Sequence, residues 1–219
     1  MENSDITYVT IATSPQLLVT APQTIGGLGV TDIEADGDRV YIPRNRQELH
    51  GVSAEVFIYD RGADNLPVQR GRIDPLLQNF EIDRVVKIGS ILWLGMHEND
   101  SSIFGIESYD ISDPSNLTRI SSSLNNAPLG TRTRVSAMAA SGNRLIMSYE
   151  YDTPTQSAED WMRAVDVATP TSPVWHPPVD LNGFAGCMAV TGNLLRISIL
   201  GSGIGTWNIS NPASLTWLG

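Results

Sequence analysis

The sequence has a single cysteine, three histidines and no long apolar run. With Cys187 alone, the chain cannot form an internal disulfide or a four-cysteine metal cage. The strand-like apolar surroundings of Cys187 predict a buried, unreactive thiol. No stretch approaches the roughly 18 apolar residues of a membrane span, and the start "MENSDITYVT" lacks the basic and apolar regions of a secretory signal. We therefore expect a soluble chain without membrane insertion.

Positive charge is also scarce. The chain has 14 basic and 24 acidic side chains, a formal net charge of -10. Binding to a phosphate backbone needs Lys and Arg to neutralise it, so a nucleic-acid partner is not expected. Two short basic pairs, Arg44 with Arg46 and Arg132 with Arg134, are typical of surface loops.

The sequence contains an internal repeat. Four segments place a glycine turn between two apolar runs: "IEADGDRVYI", "VVKIGSILWL", "MAASGNRLIM" and "MAVTGNLLRI". The turn glycines are Gly37, Gly89, Gly142 and Gly192, and successive ones are 52, 53 and 50 residues apart. A recurring interval of this size indicates a repeat architecture.

A second anchor follows each turn in step with the first. It is an apolar or aromatic residue followed by Asp or Asn, and in three copies a proline comes five residues after its first member. The pairs are Tyr59-Asp60, Tyr109-Asp110, Val165-Asp166 and Trp207-Asn208, and the prolines are Pro114, Pro170 and Pro212. Proline lacks an N–H donor, so it suits the turn after a strand.

Each copy resolves into four short strands, a to d. In the second copy we predict them near 82–88, 91–95, 104–111 and 117–121, separated by turn-forming residues. The segment "SAEDWMRAVDV" has some helical character, but it aligns with the third strands of the other copies. Four antiparallel strands per repeat are typical of a propeller blade, so we predict an all-β β-propeller.

The start of the chain fits the same scheme. In "YVTIATSPQLLVTAP", Pro15 takes the place of the recurring proline, which predicts a half blade of c and d strands. The expected domain is a single propeller over 1–219, either whole or a fragment of a larger one. Its parts are the half blade 1–25 and repeats at about 26–75, 76–124, 125–180 and 181–219.

The runs "FGIESYDISDPSNLTRI" and "SGIGTWNISNPASLTWLG" resemble the LVIVD repeat family, whose blades carry Gly-Leu-x-Val-x-Asp-x-Ser-x-Pro. The matching residues are Gly105, Ile106, Asp110, Ser112 and Pro114 in one copy, and Gly203, Ile204, Asn208, Ser210 and Pro212 in the other. Glu55 and Trp161 replace the glycine in the remaining copies, and the first copy has no proline there. The resemblance implies a propeller, in a family found mostly in surface or secreted proteins without an assigned reaction.

Candidate binding residues lie in the b-to-c loops, which differ in length between copies while the a-to-b turns are alike. Variable loops on a fixed scaffold are where binding tends to occur. We predict a binding role for His50, His97, Asp100 and Asp152 in these loops and for Arg132 and Arg134 near the third d-to-a connection; Asp160 is placed in the same loops.

No catalytic constellation is evident, and the three histidines belong to different repeats, so no metal site or cofactor is predicted. The preferred hypothesis is a non-catalytic propeller that serves as a structural or binding module in a larger assembly, with protein partners or self-assembly, at a virion or cell surface. One alternative is a hydrolase or lyase with its site at the channel mouth. Another is a glycan-binding lectin, although the tryptophans align with strand positions that favour core packing.

Overall fold

The computed structural model describes residues 29–48, 51–64, 66–75, 77–127, 132–152 and 159–219. The regular structure in these ranges is entirely β-strand, which confirms the predicted all-β class. No helix in these ranges has the length and apolar character that a membrane crossing requires. The predicted half blade 1–25 lies outside the described residues.

The strands form four antiparallel sheets in chain order. Sheet 1 contains β1 (Glu34–Asp36), β2 (Arg39–Glu48), β3 (Gly51–Arg61) and β4 (Pro67–Ile73). Sheet 2 contains β5 (Phe80–Ile88), β6 (Ile91–Glu98), β7 (Ile103–Asp110) and β8 (Thr118–Asn126). Sheet 3 contains β9 (Arg132–Ser141), β10 (Arg144–Asp152), β11 (Glu159–Asp166) and β12 (Val174–Trp175), with β13 (Val179–Asp180) also paired to β11. Sheet 4 contains β14 (Ala185–Thr191), β15 (Leu194–Ile199), β16 (Gly203–Asn208) and β17 (Thr216–Trp217).

The turn between the first two strands has the same geometry in every sheet. Gly37, Gly89, Gly142 and Gly192 have φ angles of 60°, 59°, 56° and 60°. This left-handed conformation costs glycine little and other residues more. The repeat read from the sequence is therefore a repeat of backbone conformation, and the segment "SAEDWMRAVDV" contains β11, as its alignment predicted.

The sheets stack face to face in chain order. Their first strands lie side by side, with β1 on β5, β5 on β9 and β9 on β14. We call the face of a sheet that is turned toward the next sheet its forward face, and the opposite face its backward face. Within the described ranges, no strand of sheet 4 packs along a strand of sheet 1.

Three apolar clusters fill the junctions between successive sheets. Between sheets 2 and 3, the ring of Phe104 stacks on that of Tyr149 with centroids 4.2 Å apart, beside the buried Trp93 and Ile106. Equivalent clusters join sheets 1 and 2 and sheets 3 and 4. Both faces of each inner sheet are therefore covered, and strands β6 and β7 have six consecutive buried residues each rather than an alternation.

One expectation about the core is wrong. Cys187 lies in β14 of sheet 4, but it is exposed rather than buried. Its backbone N–H donates to Ser198 Oγ at 2.9 Å, and its Sγ lies 3.3 Å from the same oxygen. The apolar neighbours in the sequence do not bury the thiol because no described strand lies over that part of the sheet.

Candidate interaction surface

The residues predicted to bind do not form one pocket. His97 was expected in a loop, but it lies inside strand β6 and is 4% exposed. Its Nδ1 lies 2.7 Å from Asp83 Oδ2. A carboxylate only accepts hydrogen bonds, so Nδ1 carries the proton and donates. His97 is therefore engaged inside the protein, and the loop placement was wrong because β6 extends beyond the predicted b strand.

Four other predicted residues, Asp100, Arg132, Arg134 and Asp152, lie at the same end of the molecule. Asp100 sits in the β6–β7 turn with a φ of 55°, and Arg134 is exposed near the start of β9. The register pairs Arg132 with Asp152. The turn and the strand are joined, because Thr133 N–H donates to the Ser101 carbonyl at 3.0 Å. His50 lies outside the described residues. No group of three or more His, Cys, Asp or Glu in the described part of the chain could hold a metal ion.

A set of hydrogen bonds that sequence reasoning missed ties each sheet to the next. In each, a buried side chain of one sheet accepts the backbone N–H at the start of the following sheet. Asn45 accepts from Ile82 at 2.9 Å, Asp83 from Val135 at 2.8 Å and Asp160 from Ala185 at 2.6 Å. We call these three contacts the inter-sheet latches. Hydrogen bonds to a charged or buried acceptor stabilise more than surface ones.

The residues whose N–H groups donate in the latches, which we call the receiving residues, share one position in the repeat. Ile82, Val135 and Ala185 each lie seven residues before the turn glycine of their sheet. The accepting residues do not: Asn45 is in a second strand, Asp83 in a first and Asp160 in a third. Spacing within the repeat could thus have identified the receivers, but the acceptors become apparent only when the strands are packed.

Asp160 is the member of the set whose carboxyl is only half hydrogen-bonded. It lies in β11, not in the predicted loop, and is fully buried. Oδ2 accepts from Ala185 N–H and from Ser136 Oγ at 2.7 Å, while Oδ1 has no partner in the described structure. Burial raises the pKa of Asp160 to about 6, against the lowering effect of those two hydrogen bonds, and the nearby Glu150 adds to the rise. The carboxyl therefore changes charge near pH 6.

The forward face of sheet 4 is open to solvent. Ile204 in β16 is 71% exposed. The residues at the same place in sheets 1 to 3, four before the Asp or Asn anchor, are Val56, Ile106 and Met162, and all three are fully buried under the next sheet. In the register, each pairs with the residue six after its turn glycine, as Ile204 does with Ser198. The same structural position is thus core in three sheets and surface in the fourth.

This open face carries almost no charge. Residues 181–219 contain one charged side chain, Arg196, although the chain as a whole is 17% charged. Leu194 lies on the same face, and the exposed Leu200 and Leu218 lie at its ends. An exposed face with apolar residues and little charge is typical of an interface core. We therefore take the forward face of sheet 4 as the candidate interaction surface.

No protein-family model matches the chain, and no curated protein matches it. Solved structures match its fold. The crystal structure of Chaetomium thermophilum Sqt1 is similar with a TM-score of 0.56 and 10% identity, over 83% of this chain and 44% of that one. Two computationally designed proteins also align. Ika4 has a TM-score of 0.49 and 11% identity, over 83% of this chain and 92% of Ika4. Ika8 has a TM-score of 0.47 and 11% identity, over 91% of this chain and 63% of Ika8. The chain thus spans less than half of Sqt1, and identity this low concerns the fold alone.

Proposed function

We propose that the chain is a β-propeller of the LVIVD-repeat type, with the four sheets as blades, and that it acts without catalysis as a binding or structural module in a larger assembly. The stacking of successive four-stranded sheets by their first strands supports a propeller. Asp83 and Asp160 are engaged in contacts between sheets, and His97 is held by Asp83 within sheet 2. Their engagement supports a scaffold, because these polar groups are used to hold the fold.

The observation that carries the proposal is the exposure of Ile204. An apolar residue at a position that is buried in the three other sheets points to a partner that covers it. The occupant we propose is a second copy of the chain, which docks by the same face.

Charge supports that occupant. Two copies of a chain with a net charge of -10 repel each other over most of their surfaces. Residues 181–219 contain no acidic side chain, so two forward faces of sheet 4 can approach without bringing carboxylates together. A face that pairs with itself is also the commonest arrangement in symmetric dimers.

Sedimentation velocity of the full chain over a range of concentrations tests this. We expect reversible self-association that Ile204→Asp weakens tenfold or more, because a carboxylate would be buried at the centre of the contact. Val174→Asp is the matched control, since Val174 is 54% exposed at the outer edge of sheet 3. A chain that stays monomeric at every concentration, or a dimer equally sensitive to both substitutions, would overturn the proposed assembly.

A further inference from the structure

The turn end of sheet 1 has an open cavity of about 420 Å³. Sites that bind small molecules usually have volumes of roughly 300–1,000 Å³. Every residue that lines this cavity is charged: Asp36, Asp38, Arg39, Asp60, Arg61 and Arg70. A small molecule held in the cavity would therefore be recognised through its charge.

The charges at this place are a feature of sheet 1 and not of the repeat. The turn glycine and the strand register align each of the six lining positions with a position in sheet 2. The aligned residues of sheet 2 are Ile88, Ser90, Ile91, Asp110, Ile111 and Ile120. Only the aspartate of the second anchor is charged in both sheets. The fold of the repeat thus does not require charge at the other five positions.

Asp60 orients two of the arginines. Arg39 binds it through both nitrogens of its fork, with Nε 2.6 Å from Oδ1 and Nη2 3.1 Å from Oδ2. Arg70 Nε lies 3.3 Å from Oδ2. The hydrogen bonds from Arg39 lower the pKa of Asp60, so this carboxyl is ionised at neutral pH and holds both guanidinium groups in place.

Arg61 and Arg70 have hydrogen-bond donors left for a ligand. Each uses its Nε in an ion pair, which in Arg61 is 3.4 Å from Asp38 Oδ1. Their Nη groups make no hydrogen bond to a described residue, and the two side chains are 39% and 49% exposed. The planar fork of a guanidinium matches the oxygens of a carboxylate or a phosphate group.

The balance of charge around the cavity also favours an anion. Lys87 of sheet 2 lies near the rim, with its Nζ 2.9 Å from Asp36 Oδ2. The lining residues and Lys87 together supply four basic groups against three carboxylates. The whole chain has a net charge of -10, so the cavity is a local positive site on an acidic protein, and such a site attracts small anions.

We infer that this cavity binds a small oxyanion, a carboxylate or phosphate group, through the guanidinium groups of Arg61 and Arg70. Asp38 competes with the ligand for Arg61. Its side chain is 70% exposed, and an exposed ion pair of this kind is weak enough for a ligand to displace. The inference is independent of the self-association proposed above, which concerns sheet 4.

NMR titration of the arginine Nε–Hε signals in the full chain tests the inference, with inorganic phosphate and acetate as probes at constant ionic strength. We expect the Arg61 and Arg70 signals to shift and saturate with at least one probe, which identifies the group that binds. Arg70→Gln should weaken the binding read from Arg61 by about tenfold or more, because it removes hydrogen bonds to a charged group. Arg46→Gln is the matched control, since Arg46 is 51% exposed in the same sheet but does not line the cavity.

Asp38→Asn should act in the opposite direction and tighten the binding by about two- to fivefold, because it removes the competing carboxylate. A loss of structure cannot produce this gain, and the amides of β10 report in the same spectra whether a variant has kept its fold. Shifts that rise without saturation for both probes would overturn the inference. Equal weakening by Arg70→Gln and Arg46→Gln would also overturn it, as would an Asp38→Asn variant that binds no more tightly than the unmodified chain.

Discussion

Sheets 2 and 4 share one backbone plan but differ in how their forward faces are used. Both have the glycine turn, the same pairing of second and third strands and an apolar residue four before the anchor. Ile106 in sheet 2 is fully buried beneath sheet 3, whereas Ile204 in sheet 4 is 71% exposed. The difference teaches that position in the stack, and not the residue itself, decides whether such a side chain is core or surface.

The largest expected effect comes from making the same substitution at both places. Ile106→Ala leaves a cavity between two packed sheets and should lower the free energy of unfolding by about 2–5 kcal/mol. Ile204→Ala in the monomer should change it by less than about 0.5 kcal/mol, because most of that side chain is already in water. Urea denaturation at low protein concentration measures both, and equal losses would show that sheet 4 is covered in solution.

The latch formed by Asp160 of sheet 3 should make the stability of the chain depend on pH. In the folded chain the pKa of Asp160 is raised to about 6 from 3.8, so the folded state holds this proton more tightly than the unfolded state. The protonated Asp160 carboxyl therefore stabilises the folded chain at low pH. This contribution to the free energy of unfolding, up to roughly 3 kcal/mol, is lost as the pH rises from about 4 to 6. Asp160→Asn keeps an oxygen for Ala185 N–H and does not titrate.

Thermal or urea unfolding of both proteins between pH 4 and 7 measures this effect. The variant should gain stability relative to the unmodified chain as the pH rises, and the difference between the two curves removes the contribution of the other carboxyl groups. Parallel curves would mean that Asp160 has the same pKa in the folded and unfolded states.

The smallest effect on stability is expected at Cys187. Because the thiol is exposed, Cys187→Ser should change the free energy of unfolding by less than about 0.5 kcal/mol. The unmodified thiol should react with a disulfide reagent in the native state without prior unfolding. A thiol that reacts only in denaturant would indicate that the surface of sheet 4 is covered in the native protein.

The repeat itself was readable from the sequence because it depends on local chemistry. A turn that requires positive φ selects glycine at positions 37, 89, 142 and 192, and the third strand of each copy ends at its polar anchor or one residue after it. Strand ends were less well predicted. The b strand of sheet 2 reaches Glu98 rather than Gly95, since pairing with β7 continues beyond the apolar run, and this moved His97 from a loop to the interior.

The contacts between sheets could not be predicted from local patterns. Asp83, Asp160 and Asn45 look like ordinary polar residues near turns, and their burial results from the approach of the next sheet, whose receiving residues lie 25 to 52 residues further along the chain. The open face of sheet 4 was hidden for the same reason, since Ile204 matches the repeat as well as Ile106 does. The absence of acidic residues from 181–219 was the one signal in the sequence that could have marked it.

The latches have a consequence for how such a chain can evolve. Each one joins a side chain to a main-chain amide, so the hydrogen bond itself uses only the N–H of the receiving residue, and Ile82, Val135 and Ala185 differ in size. Any apolar residue that fits the core, but not proline, can donate this N–H. A duplicated unit can consequently join the stack without matching mutations in its neighbour, and the copies can drift apart in sequence while the joints between them persist.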